Sequence, residues 1–312
     1  MTRADRWTLA DLPDQGGRTI MVTGTTVGGL GHVTALELAR RGARVVLTGR
    51  NPDKLVEARR TILDEVPGAE LESVELDLAD LSSVRRAAAT VAGLGAIDVL
   101  VNNAGVMGTP HHRTADGLEL QLATNHFGPF LLTGLLLPQL VASEGGRVVT
   151  VSSQMHRVAR SAPLDDPRAP RGRYRRWPAY GQTKLANLLF TYELDRRLRR
   201  AELPVKALAA HPGFASTHLA ANGQYGRSSG GIATILDGAI RLVSPNTPAE
   251  GAWPTLMAAT ADLPGATYVG PDGLLEWGGH PRVTRSNRLS YDETAQRRLW
   301  QLSEQAVGIT YP

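Results

Sequence analysis

VTGTTVGGLGHVTALELARRGA, residues 22–43, is the stretch on which the reading of this chain turns. An apolar run ending at Thr23-Gly24 gives way to glycines at 28, 29 and 31, then to an amphipathic segment whose Val33, Leu36 and Leu38 can face a sheet. Strand, glycine-rich turn and helix in that order make a corner where backbone N–H groups and a helix N-terminus can approach a pyrophosphate. The spacing is irregular, however. A G-x-x-x-G-x-G pattern read from Gly24 needs glycine at position 30, which is Leu30, and the glycine arrives one place later at Gly31. Glycine motifs alone are weak evidence, because a tight turn with no ligand has the same composition.

Outward from this corner, short β-branched runs alternate with longer amphipathic stretches. Strands are expected at 18–24, 43–49, 70–77, 97–105, 146–153 and 205–213, with a last short one around ATYVG. Helices are expected at 29–41, from Pro52 onward, and at 80–93, 117–141, 178–200, 249–260 and 291–306. Strand–helix alternation with strands that are apolar more than strictly alternating predicts an α/β fold: a doubly wound, Rossmann-type parallel sheet of about seven strands, helices on both faces. Ligands of such sheets sit beyond the C-terminal strand ends. Those ends read Thr23-Gly24, Gly49-Arg50, Asp77, Asn102-Asn103, Ser152-Ser153 and Pro212-Gly213, a row of small and polar residues.

Composition narrows the classes. The chain has 312 residues, 42% apolar and 21% charged, a balance expected of a globular, soluble protein. One domain, 1–312, is expected, with residues 16–150 as a cofactor half and 151–312 as the catalytic and substrate-binding part. The N-terminus lacks an apolar signal core, and the most apolar stretch, 126–141, is short and interrupted by glycine and proline, so no transmembrane segment is expected. There is no cysteine, which excludes disulfides and thiolate chemistry and fits a cytoplasmic location. A net charge of +4 with acids scattered among the arginines argues against nucleic acid as a partner.

Two further segments suggest catalysis. In YGQTK, Tyr180 and Lys184 lie four apart near a helix start and share a face. A free phenol, with a pKa of about 10, is a poor acid–base group near neutrality. An adjacent ammonium lowers it. For the pair alone, a buried tyrosine and a solvated lysine at a common spacing is the better reading. The catalytic reading gains weight because VSS and NNAG end two of the strands.

The chain resembles the short-chain dehydrogenase/reductase family, and more narrowly its retinol dehydrogenase and protochlorophyllide reductase-like group. The matching segments include DLPDQGGRTIMVTG, VVLTGRN, LDLADLSSV, VLVNNAGVM, TNHFGPFLLTGLLLP, VVTVSS, YGQTKLANLLFTYEL, AAHPGFASTHL and YVGPDGLLEWGG, in order along nearly the whole length. The resemblance implies an NADP(H)- or NAD(H)-dependent oxidoreductase with four catalytic residues. Tyr180 would be the acid–base, Lys184 would bind the nicotinamide ribose and tune it, and Ser153 would hold the substrate oxygen. Asn125 would help order a proton-relaying water. Against the family's TG-x-x-x-G-x-G, the extra residue falls within 25–28. Gly24, Thr26, Gly29, Leu30 and Gly31 would cradle the dinucleotide, with Asp77 and Leu78 at the adenine and Asn103, Ala104 and Gly105 along its length. Tyr180, Lys184, Pro212, Gly213 and Thr217 would complete the nicotinamide side. At the end of the second strand, Thr48-Gly49-Arg50 has no acid for a ribose hydroxyl and offers a guanidinium suited to a 2′-phosphate, which favours NADP(H).

The expected activity is interconversion of a carbonyl and an alcohol on an apolar or amphipathic small molecule. Alternatives are a tailoring reductase of specialised metabolism acting on a ring ketone or double bond, and a non-catalytic NADP(H)-sensing or partner-binding protein. Loop 154–178, with five arginines in RAPRGRYRRW, and segment 214–248 are expected near the substrate. GRSSG, 226–230, matches a hydrolase nucleophile elbow but has no strand before it. His111 and His112 are adjacent and cannot both face one site, so no metal is expected. The helices at 117–141 and 178–200 either cover the sheet or form a homo-oligomer face.

Overall fold

The computed structural model describes residues 6–162, 173–213 and 247–312. Its sheet comprises β1 (Thr19–Thr23), β2 (Arg44–Gly49), β3 (Leu71–Glu75), β4 (Val99–Asn102), β5 (Gly146–Val151), β6 (Val205–Ala210), β7 (Tyr268–Pro271) and β8 (Pro281–Val283). The spatial order is β3-β2-β1-β4-β5-β6-β7-β8. Every pairing through β7 is parallel, and β8 runs antiparallel to β7. Ile20, Met21, Val22, Val45, Val46 and Leu47 are all 0% exposed, which is why these strands carry no polar alternation.

The helices are α1 (Leu30–Arg40), α2 (Pro52–Glu65), α3 (Leu81–Ala92), α4 (Gly128–Val141), α5 (Arg176–Arg200), α6 (Pro248–Thr260) and α7 (Glu293–Val307). Leu36 and Leu38 of α1, Ile62 of α2 and Leu256 of α6 pack one face of the sheet, and Val33 lies against the same core. Val84 of α3, Leu132 of α4, Leu194 of α5 and Trp300 of α7 pack the other. Local chemistry sets several starts: Asn51 caps α2 through its side chain with Pro52 in the first turn, and Asp80 caps α3. Asp292 caps α7, and Gly308 in the left-handed region ends it.

Two elements differ from the sequence expectation. The helix expected over 117–141 is divided, with a π-helical stretch, Ala123–Phe127, ahead of α4. Pro129 has no N–H to give the Asn125 carbonyl, so the regular i to i−4 ladder is broken at that point. The sheet has eight strands instead of about seven; β8 is three residues long and opens on a proline, a pattern tolerated at an edge and invisible to periodicity. The strand order reverses between β1 and β4, which pair side by side at the sheet centre. The crevice beyond their C-terminal ends is the binding position of such sheets, and there the site lies.

Candidate active site

The turn after β1 absorbs its extra residue in a tight bend. The Gly29 N–H donates to the Thr26 carbonyl at 3.0 Å, closing a four-residue turn. Gly28 in its third position has φ +79°, where a type II turn requires glycine. The lengthening therefore loops out ahead of α1 and leaves the helix start in place. Gly29 is the N-cap and makes no side-chain cap bond, so the first-turn N–H groups face the crevice without a capping oxygen. A Cβ on Gly31 would lie 2.4 Å from the Gly24 carbonyl oxygen and 2.5 Å from Asn103 Nδ2. Only glycine permits α1 to approach the strand ends this closely. Leu30, the first helical residue, accepts a bond from Thr34 Oγ1 through its carbonyl at 2.9 Å.

The neighbouring strand ends lock onto this turn. Thr23 Oγ1 accepts the N–H groups of Asn103 and Ala104 at 2.9 and 3.0 Å, and Asn103 Nδ2 donates to the Thr23 carbonyl at 2.7 Å. The Thr48 carbonyl accepts the N–H groups of both Gly24 and Thr25 at 3.0 Å, which fixes the end of β2 beside the turn. Arg50 follows directly, exposed, and makes no ion pair among the described residues. After β3, Asp77 accepts the Ala79 N–H through Oδ1 at 2.9 Å while its own N–H donates to Ser83 Oγ, and Leu78 is buried against Gly128.

Asn125, Ser153, Tyr180 and Lys184 converge at the same edge. The π-helical turn aims Asn125 at the loop after β4. There its Oδ1 accepts the Val106 N–H at 2.7 Å, and its Nδ2 donates to the Val106 carbonyl and Thr183 Oγ1, each at 2.9 Å. A Cβ on Gly105 would lie 2.9 Å from Asn125 Oδ1 and 3.6 Å from Lys184 Nζ, so these groups meet around a glycine. Tyr180 and Lys184 lie on α5, and Nζ is 5.8 Å from the Tyr180 ring centroid. Ser153 caps the 3₁₀ turn Gln154–Val158 after β5. Its hydroxyl lies near enough to the Tyr180 phenol to lower its pKa.

The electrostatics correct one expectation. The spacing of Tyr180 and Lys184 predicted a lowered phenol. Burial instead pushes Tyr180 up to about 12, with the Ser153 hydrogen bond opposing it. Burial lowers Lys184 to about 8. Both groups have left water, and desolvation is the largest cause at each. Lys184 Nζ donates to the Val151 carbonyl at 3.0 Å, and Asn187 Nδ2 donates to the same oxygen at 3.1 Å.

Pro212 and Gly213 follow β6 beside Ser153, whereas Thr217, the GRSSG segment and residues 168–172 of the arginine-rich stretch lie outside the described residues. His111 lies against Tyr174, ring centroids 4.9 Å apart and planes tilted by 48°. Among the described residues no three His, Asp or Glu side chains gather in a metal-binding group, and no helix is long and apolar enough to cross a membrane. Sequence reasoning missed His156. Its Nδ1 bonds the Ser153 carbonyl at 2.6 Å and its Nε2 accepts the Asn287 N–H at 3.0 Å. Nothing local marks it; the contact joins residues 131 positions apart.

A glycine-cradled crevice beside a Ser–Tyr–Lys set at the edge of a doubly wound sheet defines a nicotinamide-dependent oxidoreductase fold. The chain belongs to the short-chain dehydrogenase family, in its retinol dehydrogenase-like group. The family described as short chain dehydrogenase matches residues 18–163. Retinol dehydrogenase 13 of Homo sapiens is 39% identical over 301 residues, covering 95% of this chain and 86% of the human protein. A solved structure of an uncharacterized protein from Mycobacterium paratuberculosis is 44% identical, with TM-score 0.79, covering 98% of this chain and 99% of that one. A short chain dehydrogenase from Escherichia coli CFT073, solved in complex with NADPH, is 25% identical with TM-score 0.59, covering 81% of this chain and 93% of its own.

Proposed function

We propose that this oxidoreductase interconverts a carbonyl and an alcohol with NADP(H) as its cofactor and Tyr180 as its acid–base. The observation that carries the reading is the meeting of Ser153, Tyr180 and Lys184 beside the turn after β1. The residues present fit a dinucleotide: the uncapped start of α1 suits a pyrophosphate, and any side chain at Gly31 would close the cradle. Gly24, Thr26, Gly29, Leu30, Gly31, Asp77, Leu78, Asn103, Ala104, Gly105, Pro212 and Gly213 would hold it. Arg50, exposed with no acidic partner among the described residues, would face a 2′-phosphate. The NADPH complex of the Escherichia coli relative supports the same preference. Bound there, the cofactor supplies or takes up the hydride.

The chain's own residues manage the proton and the oxygen. At neutral pH the buried phenol is protonated, the state required to give its proton to a carbonyl oxygen as that oxygen gains charge. Ser153 holds the oxygen by a hydrogen bond and so stabilises the developing negative charge. Lys184, fixed on the Val151 carbonyl, places a positive charge near the phenolate left behind. Asn125 braces the loop after β4 against α5 and keeps Gly105 open beside Nζ. An apolar alcohol or aldehyde is the substrate class, supported by the retinol-named human relative.

The test is a fluorescence titration of the full chain with NADPH and NADH, repeated on Arg50→Ala. The expected result is tight NADPH binding that weakens about tenfold in the variant while NADH binding stays unchanged, the loss of one charge-assisted contact. Equal affinities for the two nucleotides in both proteins would refute the NADP(H) preference. Absence of binding by either nucleotide would refute the oxidoreductase mechanism itself.

A further inference from the structure

The ends of β5 and β6 lie side by side: Val151 pairs with Ala210, and the Ser152 N–H donates to the Ala210 carbonyl at 2.7 Å. The Ser153 turn and Pro212-Gly213 therefore flank one mouth. A single carboxylate, Glu276, ties the two together from beneath. Its Oε2 accepts Gln154 Nε2 at 2.7 Å and Arg157 Nη2 at 3.3 Å, both from the Ser153 turn. The same oxygen bonds His211 Nε2 at 3.1 Å, and Oε1 accepts the Thr284 hydroxyl. On the other side of the imidazole, the Gly213 N–H donates to His211 Nδ1 at 3.2 Å.

These partners determine where the His211 proton sits. A peptide N–H can only donate, so Nδ1 must be the bare acceptor. An ionised carboxylate can only accept, so Nε2 must carry the hydrogen. Glu276 is ionised at neutral pH. Burial alone would raise it, but hydrogen bonds from His211 and Thr284 and the Arg157 charge hold it down at about 2. The imidazole packs directly on Gly270, where a Cβ would lie 2.0 Å from its Nε2. Leu275 and Glu276 both have positive φ, 54° and 56°, an unfavourable backbone for residues with side chains. Strain of this kind persists only where surrounding contacts over-determine it, and here it delivers the carboxylate to five donor contacts.

We propose that Glu276 is a positioning residue acting through His211: it fixes the imidazole in the Nε2–H tautomer, which in turn holds Gly213 and the Ser153 turn in register across the mouth of the site. This rests on the proposed oxidoreductase function for its consequence, since the held segment is the one assigned to the nicotinamide end. It does not rest on that function for the tautomer itself. Replacing the carboxylate by leucine would take the acceptor away from Nε2–H and leave the imidazole held by the Gly213 N–H alone. An amide at this position would keep its oxygen where Oε2 now meets Gln154, Arg157 and His211, with its NH2 toward the Thr284 hydroxyl, which can accept.

The test uses the full chain, with long-range imidazole ¹H–¹⁵N spectra and an NADPH titration on wild type, Glu276→Leu and Glu276→Gln. His211 should be the Nε2–H tautomer in wild type at pH 7 to 9. Glu276→Leu should release the ring into a mixture of the two tautomers and weaken NADPH about three- to tenfold, the loss of one buried hydrogen bond. Glu276→Gln, which keeps an acceptor for Nε2–H, should keep the tautomer and recover most of the affinity. A wild-type His211 with Nδ1–H overturns the proposal, even if Glu276→Leu does not fold. It is also overturned if Glu276→Leu frees the tautomer with NADPH affinity intact, or loses affinity with the tautomer intact. If wild type binds no nicotinamide nucleotide, the oxidoreductase function falls, and the wild-type spectrum still decides the tautomer.

Discussion

Lys184→Met is expected to make the nucleotide-free protein more stable while removing its function. The ammonium is 4% exposed, and burial lowers its pKa from 10.5 to about 8. At about 1.4 kcal/mol for each tenfold change in proton affinity, holding the charged form in the fold at neutral pH costs roughly 3 kcal/mol. Methionine is close in length and carries no charge. The Val151 carbonyl is not orphaned by the change, because Asn187 Nδ2 still donates to it at 3.1 Å. With an unfolding entropy of about 2 cal/mol/K per residue, roughly 3 kcal/mol in a chain of 312 residues raises Tm by about 4–5 °C. The pH dependence identifies the cause. Between about 8 and 10.5 the unfolded lysine holds its proton and the folded one has released it, so wild-type stability rises with pH across that window. The advantage of Lys184→Met should be full below pH 8 and shrink toward pH 10.5. Tyr180, raised from 10 to about 12, works in the opposite direction only above pH 10, so urea midpoints between pH 6.5 and 10 isolate the lysine. A variant no more stable than wild type at pH 7, or a gap that does not change with pH, would refute the reasoning.

Two further substitutions probe the cradle and the proton donor. Gly31→Ala forces a Cβ against the Gly24 carbonyl at 2.4 Å, a backbone contact that cannot swing aside, so stability should drop by about 1–3 kcal/mol. NADPH affinity should fall with it, read by thermal melts and fluorescence titration; unchanged values would mean that α1 does not approach the strand ends so closely. Tyr180→Phe should retain NADPH binding and lose about 10²–10⁴-fold in turnover of an aldehyde substrate, measured as NADPH consumption under saturating cofactor. Turnover within a few-fold of wild type would assign the proton transfer elsewhere.

The chain's own order of residues was enough to define the sheet and the row of small and polar residues along its edge. Short apolar runs bounded by turn residues read as strands covered on both faces, and the glycines at 24, 28, 29 and 31 mark a turn between strand and helix. Ser153, Tyr180 and Lys184 were legible as candidates because each sits at a strand end or near a helix start with a local signature, whereas Asn125, inside a π-helical stretch, was suggested by the family resemblance alone. What the sequence left open was how the added residue in the turn is accommodated, and the structure places it in the bend closed by Thr26 and Gly29, ahead of an undisturbed α1. The protonation balance of Tyr180 and Lys184 was also beyond reach, because desolvation depends on everything packed around both groups. The same holds for His156, His211 and Glu276. His211 joins Glu276 across 65 positions, and His156 joins Asn287 across 131. No local pattern encodes such contacts: strand order and packing create them, and only the folded chain sets which imidazole nitrogen carries the hydrogen.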